Sequence, residues 1–166
     1  MLLSAADRLR GVFLRKPSSR NVLHQALSST GIGTTMALSP EVLANVVNTS
    51  NLNGAATVTY FDWAVTNSKP PPSVHTCNIV IRALGRKKFF DHLDDALHIM
   101  RRNNIFPDLT TLEIIVDSLV AARHVSTAVD VISTDQFGFG IGKTWHRKDA
   151  FTILIRCLCR KSHVGP

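Results

Sequence analysis

Two short runs of side chains have the types and spacing to hold a phosphate-bearing polymer. Asn78, Arg82 and Arg86 stand at i, i+4 and i+8, and Thr152, Arg156 and Arg160 repeat that spacing further along the chain. Steps of four residues stay on one face of an α-helix, so each run makes a polar ridge with one small hydrogen-bonding group and two guanidiniums. Such a ridge suits single-stranded RNA, the Asn or Thr reading a base edge while the arginines neutralise phosphate. Between the two runs, Glu113, Asp117 and Ala121 occupy the corresponding positions, and an acidic pair there repels phosphate. An ordinary solvated helix face is the alternative for one ridge; its recurrence favours binding.

Other chemistries find weaker support. Gly138-Phe139-Gly140-Ile141-Gly142-Lys143-Thr144 ends like a phosphate-binding loop, but Phe137 stands where the first glycine belongs. Such a loop also needs a preceding strand and a later metal-binding carboxylate, whereas only 22 residues follow Thr144 and they read as a helix. Cys157 and Cys159 lie about 200° apart on a helix, and only His163 is placed to join Cys159 on a metal, which falls short of a site. Asp91, Asp94 and Asp95 fall at a helix start, where carboxylates stabilise the dipole. No catalytic residue, metal or cofactor is expected.

The ridges must be positioned by helices, and the chain repeats itself at the right interval. Val74, Cys77, Ile81 and Leu84 recur as Leu109, Leu112, Val116 and Leu119, and Phe90, Leu93 and Leu97 recur as Val125, Ala128 and Ile132, every offset being 35. Within a copy the first four fall on one helical stripe, so the unit is a pair of amphipathic helices. Phe151, Ile155 and Leu158 open a third copy with four residues inserted before it. A period of this size in helical sequence signifies a solenoid, whose repeats cover one another's apolar faces.

The residues that repeat also resemble a known family. Val74-His75-Thr76-Cys77-Asn78-Ile79-Val80-Ile81-Arg82-Ala83-Leu84-Gly85-Arg86, closing with Ile105-Phe106-Pro107-Asp108, is similar to the pentatricopeptide repeat (PPR) of organellar RNA-binding proteins, and Phe151 to Lys161 looks like the first helix of another copy. Leu38-Ser39-Pro40-Glu41 and Tyr60-Phe61-Asp62-Trp63-Ala64 resemble the degenerate leading pair of plant members. In that family the fifth and last residues of a repeat select the base and a basic thirteenth residue contacts phosphate. The resemblance therefore implies Asn78 with Asp108 as a uridine-preferring pair and Arg86 on phosphate. It implies Glu113 as the base-facing residue of copy two, and Thr152 with Arg160 in copy three. At the second position, normally aliphatic, this chain has His75, Thr110 and Asp149.

Composition bounds the rest. The 166 residues are 45% hydrophobic and 19% charged, enough to build a core, and more than half of the net charge of +7 falls within residues 1 to 40. Three cysteines give no disulfide framework, and no apolar run reaches the roughly 18 residues of a bilayer span, so no membrane partner is expected. Residues 1 to 40 hold Arg8, Arg10, Arg15, Lys16 and Arg20 against Asp7 alone. With Leu2, Ala6, Leu9, Val12 and Phe13 beside them, they have the amphipathic, acid-poor character of an organellar transit peptide. Arginine and leucine begin at once, which favours a mitochondrial over a chloroplast destination.

The expected architecture is thus all-α, an α-solenoid of antiparallel helix pairs with a right-handed superhelix. Residues 1–37 form a transit peptide outside the fold. Residues 38–166 form the repeat domain: a leading pair over 38–69 with Ser39 as N-cap and Pro40 at N1, repeats over 74–108 and 109–147, and a partial third over 148–166 whose apolar stripe lacks its second helix. The expected function is non-catalytic binding of single-stranded organellar RNA in processing, stability or translation, with other RNA-processing proteins as further partners. The alternative is a helical scaffold for proteins; the 35-residue period and closing Pro-Asp favour RNA.

Overall fold

The computed structural model describes residues 2–15, 17, 19–49, 52–135, 137–139 and 147–162, and among them the fold is entirely helical. The helices are α1 (Leu2–Leu14), α2 (Arg20–Ser28), α3 (Thr34–Ala37), α4 (Pro40–Val47), α5 (Gly54–Thr66), α6 (Val74–Arg86), α7 (Leu93–Arg102, after a 3-10 turn at Phe90–His92), α8 (Leu109–Ala121), α9 (Val125–Thr134) and α10 (Arg147–Ser162). The chain divides into two compact units, residues 1–106 and 107–166.

In the first unit the helices lie in two rows. α1 packs on α4 and α4 on α6, while α2 packs on α5 and α5 on α7. α5 is the centre of the second row: Val58, Tyr60, Phe61, Trp63, Ala64 and Val65 are all buried, on every side of the helix. A helix that is apolar all round must be enclosed, and α2, α3, α6 and α7 enclose it. Its first residue, Gly54, lies against the His92 ring with no room for a Cβ. Asn53 caps it, its side chain accepting from the Ala56 amide at 2.8 Å.

Most of the periodic residues of the two full copies are core residues, whereas Leu109 and Val125, and Phe151 and Ile155 of the third copy, are exposed. Cys77, Ile81, Leu84, Leu93 and Leu97 in the first unit are fully buried, as are Leu112, Val116, Ala128 and, almost fully, Leu119 and Ile132 in the second. The period extends to the backbone. Lys88 and Arg123, 35 apart, both adopt left-handed φ values of 62° and 65°, and each precedes an amide that bonds back to a helix carbonyl: Phe89 to Leu84 at 2.9 Å and His124 to Leu119 at 2.8 Å. This is a helix C-cap normally given to glycine; here the repeat geometry imposes it on long basic side chains.

Two local expectations change. Ser39 does precede Pro40 at the start of α4, but its hydroxyl donates backward to the Met36 carbonyl at 2.8 Å rather than capping α4. More substantially, the stretch expected as a leader carries helices with buried residues: Ala5, Ala6 and Leu9 of α1 and Leu23 and Leu27 of α2 are buried in the first unit. The stripe that makes α1 amphipathic is the stripe that packs. The glycine-rich segment from Gly140 to Thr144, and His163, lie outside the described residues.

Candidate nucleic-acid interface

In the first unit α6 presents its two arginines to solvent. Arg82 and Arg86 are exposed one turn apart, and among the described residues neither has a carboxylate within salt-bridge distance. Asn78 departs from the expected ridge: it is only 4% exposed. At 35 sequence positions before Glu113 it falls at the boundary of the α6 apolar stripe, next to Cys77, and the packing that buries Cys77 covers it too. Lys87, the next cation, is occupied elsewhere. Its ammonium donates to the Thr49 carbonyl at 2.6 Å and the Leu52 carbonyl at 3.2 Å, and partial burial lowers its pKa.

Asp108 begins the second unit as the N-cap of α8. Its carboxylate accepts from the Thr111 amide at 2.9 Å and the Thr111 hydroxyl at 3.0 Å, while the Thr111 hydroxyl also accepts from the Asp108 amide at 3.2 Å. One carboxylate oxygen is therefore held by the cap. Asp108→Ala is expected to lower the thermal stability of the second unit by about 1 kcal/mol, whereas Asp108→Asn, an equally good cap, should not. The Asn variant thus separates capping from any base contact, and equal losses from both changes would show that the cap does not matter.

The ridges of α8 and α10 do not act independently. α10 packs along α8, and Glu113 faces both arginines opposite, at 3.7 Å from Arg156 and 3.1 Å from Arg160; Asp117 lies 3.7 Å from Arg160. α8 and α10 are neighbours in the second unit, so the acidic ridge of Glu113 and Asp117 meets the basic ridge of α10 and pairs with it. All four side chains keep between 33% and 54% exposure, where ion pairs contribute little and exchange readily. Thr152 is exposed, its hydroxyl donating to the Lys148 carbonyl at 2.7 Å.

One polar cluster was not anticipated. Asp62, 8% exposed in the middle of α5, bonds Arg20 of α2 through one oxygen and Arg102 of α7 through the other, and the Thr66 hydroxyl donates to it at 3.2 Å. His24 Nε2 lies 3.8 Å away. Burial by itself would raise the Asp62 pKa, but the hydrogen bond from Arg20 and the charges of both arginines outweigh it and hold the group below its usual value. The legible signal was the residue itself: a lone carboxylate within Tyr60-Phe61-Asp62-Trp63 needs cationic partners.

Cys77 and Cys157 are core residues, whereas Cys159 is exposed. Burial pushes the Cys77 thiol up to about 12 and raises Cys157 as well. Among the described residues no group of His, Cys, Asp or Glu is placed to hold a metal, and no helix is long and apolar enough to cross a membrane.

Against known proteins, the chain is similar to a protein of Arabidopsis thaliana named small ribosomal subunit protein mL104 (rPPR9), with 24% identity over 126 residues, 76% of this chain and 23% of that protein. The chain thus spans about a quarter of that relative's length. No family model and no solved structure matches it. The likeness hints at a relation to PPR proteins, in line with the 35-residue helix pair.

Proposed function

We propose that the chain binds single-stranded RNA without catalysis, as part of a right-handed α-solenoid, in mitochondrial RNA processing, stability or translation. The observation that supports this most is the exposed, acid-free Arg82 and Arg86 pair on the first helix of the best-formed repeat. Two guanidiniums about 6 Å apart along the axis suit successive phosphates of an extended strand. Asn78 and Asp108 are the residues that the resemblance assigns to base selection. The similarity to a ribosomal-subunit protein whose name carries the PPR abbreviation favours a ribosome-associated RNA as the target class. The mitochondrial part of the reading rests on the arginine-rich, acid-poor residues 1 to 40.

A protein-scaffold function is the second reading, favoured by one observation: Glu113 and Asp117 neutralise the arginines of α10, beside exposed Phe151 and Ile155. Fluorescence anisotropy with labelled ten-nucleotide RNA decides between the two. RNA binding predicts a dissociation constant on the order of 10 µM at low salt, weakening steeply as salt rises, and preference for single over double strands. Absence of binding at low salt would favour the scaffold.

A further inference from the structure

The segment that reads as an import signal is also built into the fold as a helix pair in register with its neighbours. Ala5, Ala6 and Leu9 of α1 stand 37 positions before Val42, Leu43 and Val46 of α4, and Leu23 and Leu27 of α2 stand 37 before Tyr60 and Ala64 of α5; all ten are buried. α1 therefore takes the place in the first row that α4 takes next, and α2 takes the corresponding place in the second row. A loosely attached leader has no reason to keep register with both helices of the following pair.

The attachment is polar as well as apolar. The Tyr60 hydroxyl donates to the Ala37 carbonyl at 2.9 Å, the Trp63 indole N–H to the Ser28 hydroxyl at 3.0 Å, and the Thr34 hydroxyl to the Asn67 carbonyl at 3.3 Å. Arg20 shares Asp62 with Arg102, and the Phe13 ring meets Tyr60 edge-on at 6.0 Å between centroids. Tyr60 and Trp63 would otherwise expose large rings, and Asp62 would lose half of its ionic cover.

We infer that α1 and α2 are a helix pair of the folded array, docked on a face formed by α4 and α5, and that they stay with the mature protein. An import receptor and this docking face need the same apolar stripe. Leu9 and Val12 are buried once α1 is docked, while Arg8 and Arg15 remain exposed. Recognition of the segment therefore belongs to the unfolded chain, and folding silences it. The importing half of this inference rests on the mitochondrial reading; the docking half does not.

Limited trypsin digestion of the purified full-length chain tests the docking, because cutting inside a helix requires it to open and the rate follows the open population. Cleavage after Arg8 and Arg10, both inside α1, is expected to be at least about tenfold slower than in a free peptide of residues 1–37. Trp63→Phe, which removes the bond to Ser28 of α2, and Asp62→Asn, which weakens the tie to Arg20, lie outside the segment and leave its sequence intact; each should speed cleavage at those two sites several-fold while cleavage after Arg123, in the second unit, keeps its rate. Equal rates in the full chain and the peptide, or no response to either substitution, overturn the docking. For retention, the intact mass of the chain recovered from mitochondria should include Ala5 to Ser28, and a mature end beyond Ser28 overturns it. A chain that never enters mitochondria refutes the localisation instead, and the digestion result still stands.

Discussion

Phe61→Ala should destabilise the first unit by about 3–5 kcal/mol, the range found when a large ring is removed from a packed core, and should leave the second unit's transition in place. Phe61 is completely buried on α5, the helix against which α2, α3, α6 and α7 all pack, so no single neighbour can move in to fill the space. Set against a typical total of about 5–15 kcal/mol, such a loss brings the unit close to its unfolding midpoint. Urea unfolding followed by the emission of buried Trp63 reports it, in a Trp145→Phe background so that one tryptophan signals. A loss under about 1 kcal/mol would mean that α5 is not the enclosed centre of the unit.

Asp62, next to it, should matter less. Its carboxylate is buried, but Arg20 and Arg102 are 58% and 48% exposed, so water screens the pair and Asp62→Asn should cost only about 1–2 kcal/mol. The effect has a pH signature. Because the folded pKa lies below the unfolded one, the ionic contribution is fully present above the unfolded value near 4 and is lost as pH falls through the folded value. The wild-type chain and the Asp62→Asn variant should therefore converge in stability on acidification. Comparison of the two substitutions ranks the forces: apolar enclosure holds the second row together, and the ionic tie adds to it.

What the sequence made legible follows from which contacts are periodic. The 35-residue offsets picked out most of the buried faces of α6 to α9, because an apolar stripe at helical spacing has to be covered within its unit. Helix boundaries at Ser39-Pro40, Pro70 to Ser73 and Pro107 were legible because proline and capping residues act locally. The N-terminal pair was missed for the opposite reason. Amphipathicity with arginine satisfies both a receptor and a core, and composition alone cannot separate them; only the 37-residue register with α4 and α5 does. The partners of Asp62 were hidden because Arg20 and Arg102 lie 42 and 40 residues away, about one repeat on either side.

The pairing of the candidate ridges was not legible in their residues. Glu113 and the two arginines of α10 were each assigned to an RNA-facing ridge, yet stacking sets neighbouring ridges against one another, and opposite charges then satisfy each other. A difference between the arginine pairs follows. Arg82→Ala with Arg86→Ala should flatten the log-log salt dependence of single-stranded RNA binding by about 1.4, roughly 0.7 for each lost phosphate contact, and weaken all RNA sequences alike. Arg156→Ala with Arg160→Ala should flatten it less, because phosphate must first displace Glu113 and Asp117. Glu113→Gln removes that competitor and should steepen the slope, restoring to α10 the phosphate contact that α6 already offers. Exposed pairs of this kind contribute only about 0–1 kcal/mol each, so the gain in affinity stays within several-fold per pair. Anisotropy titrations from low to physiological salt give all three slopes. An equal loss from both double variants would show that the α10 arginines are as free as those of α6, and an unchanged slope after the α6 substitutions would remove Arg82 and Arg86 from the interface altogether.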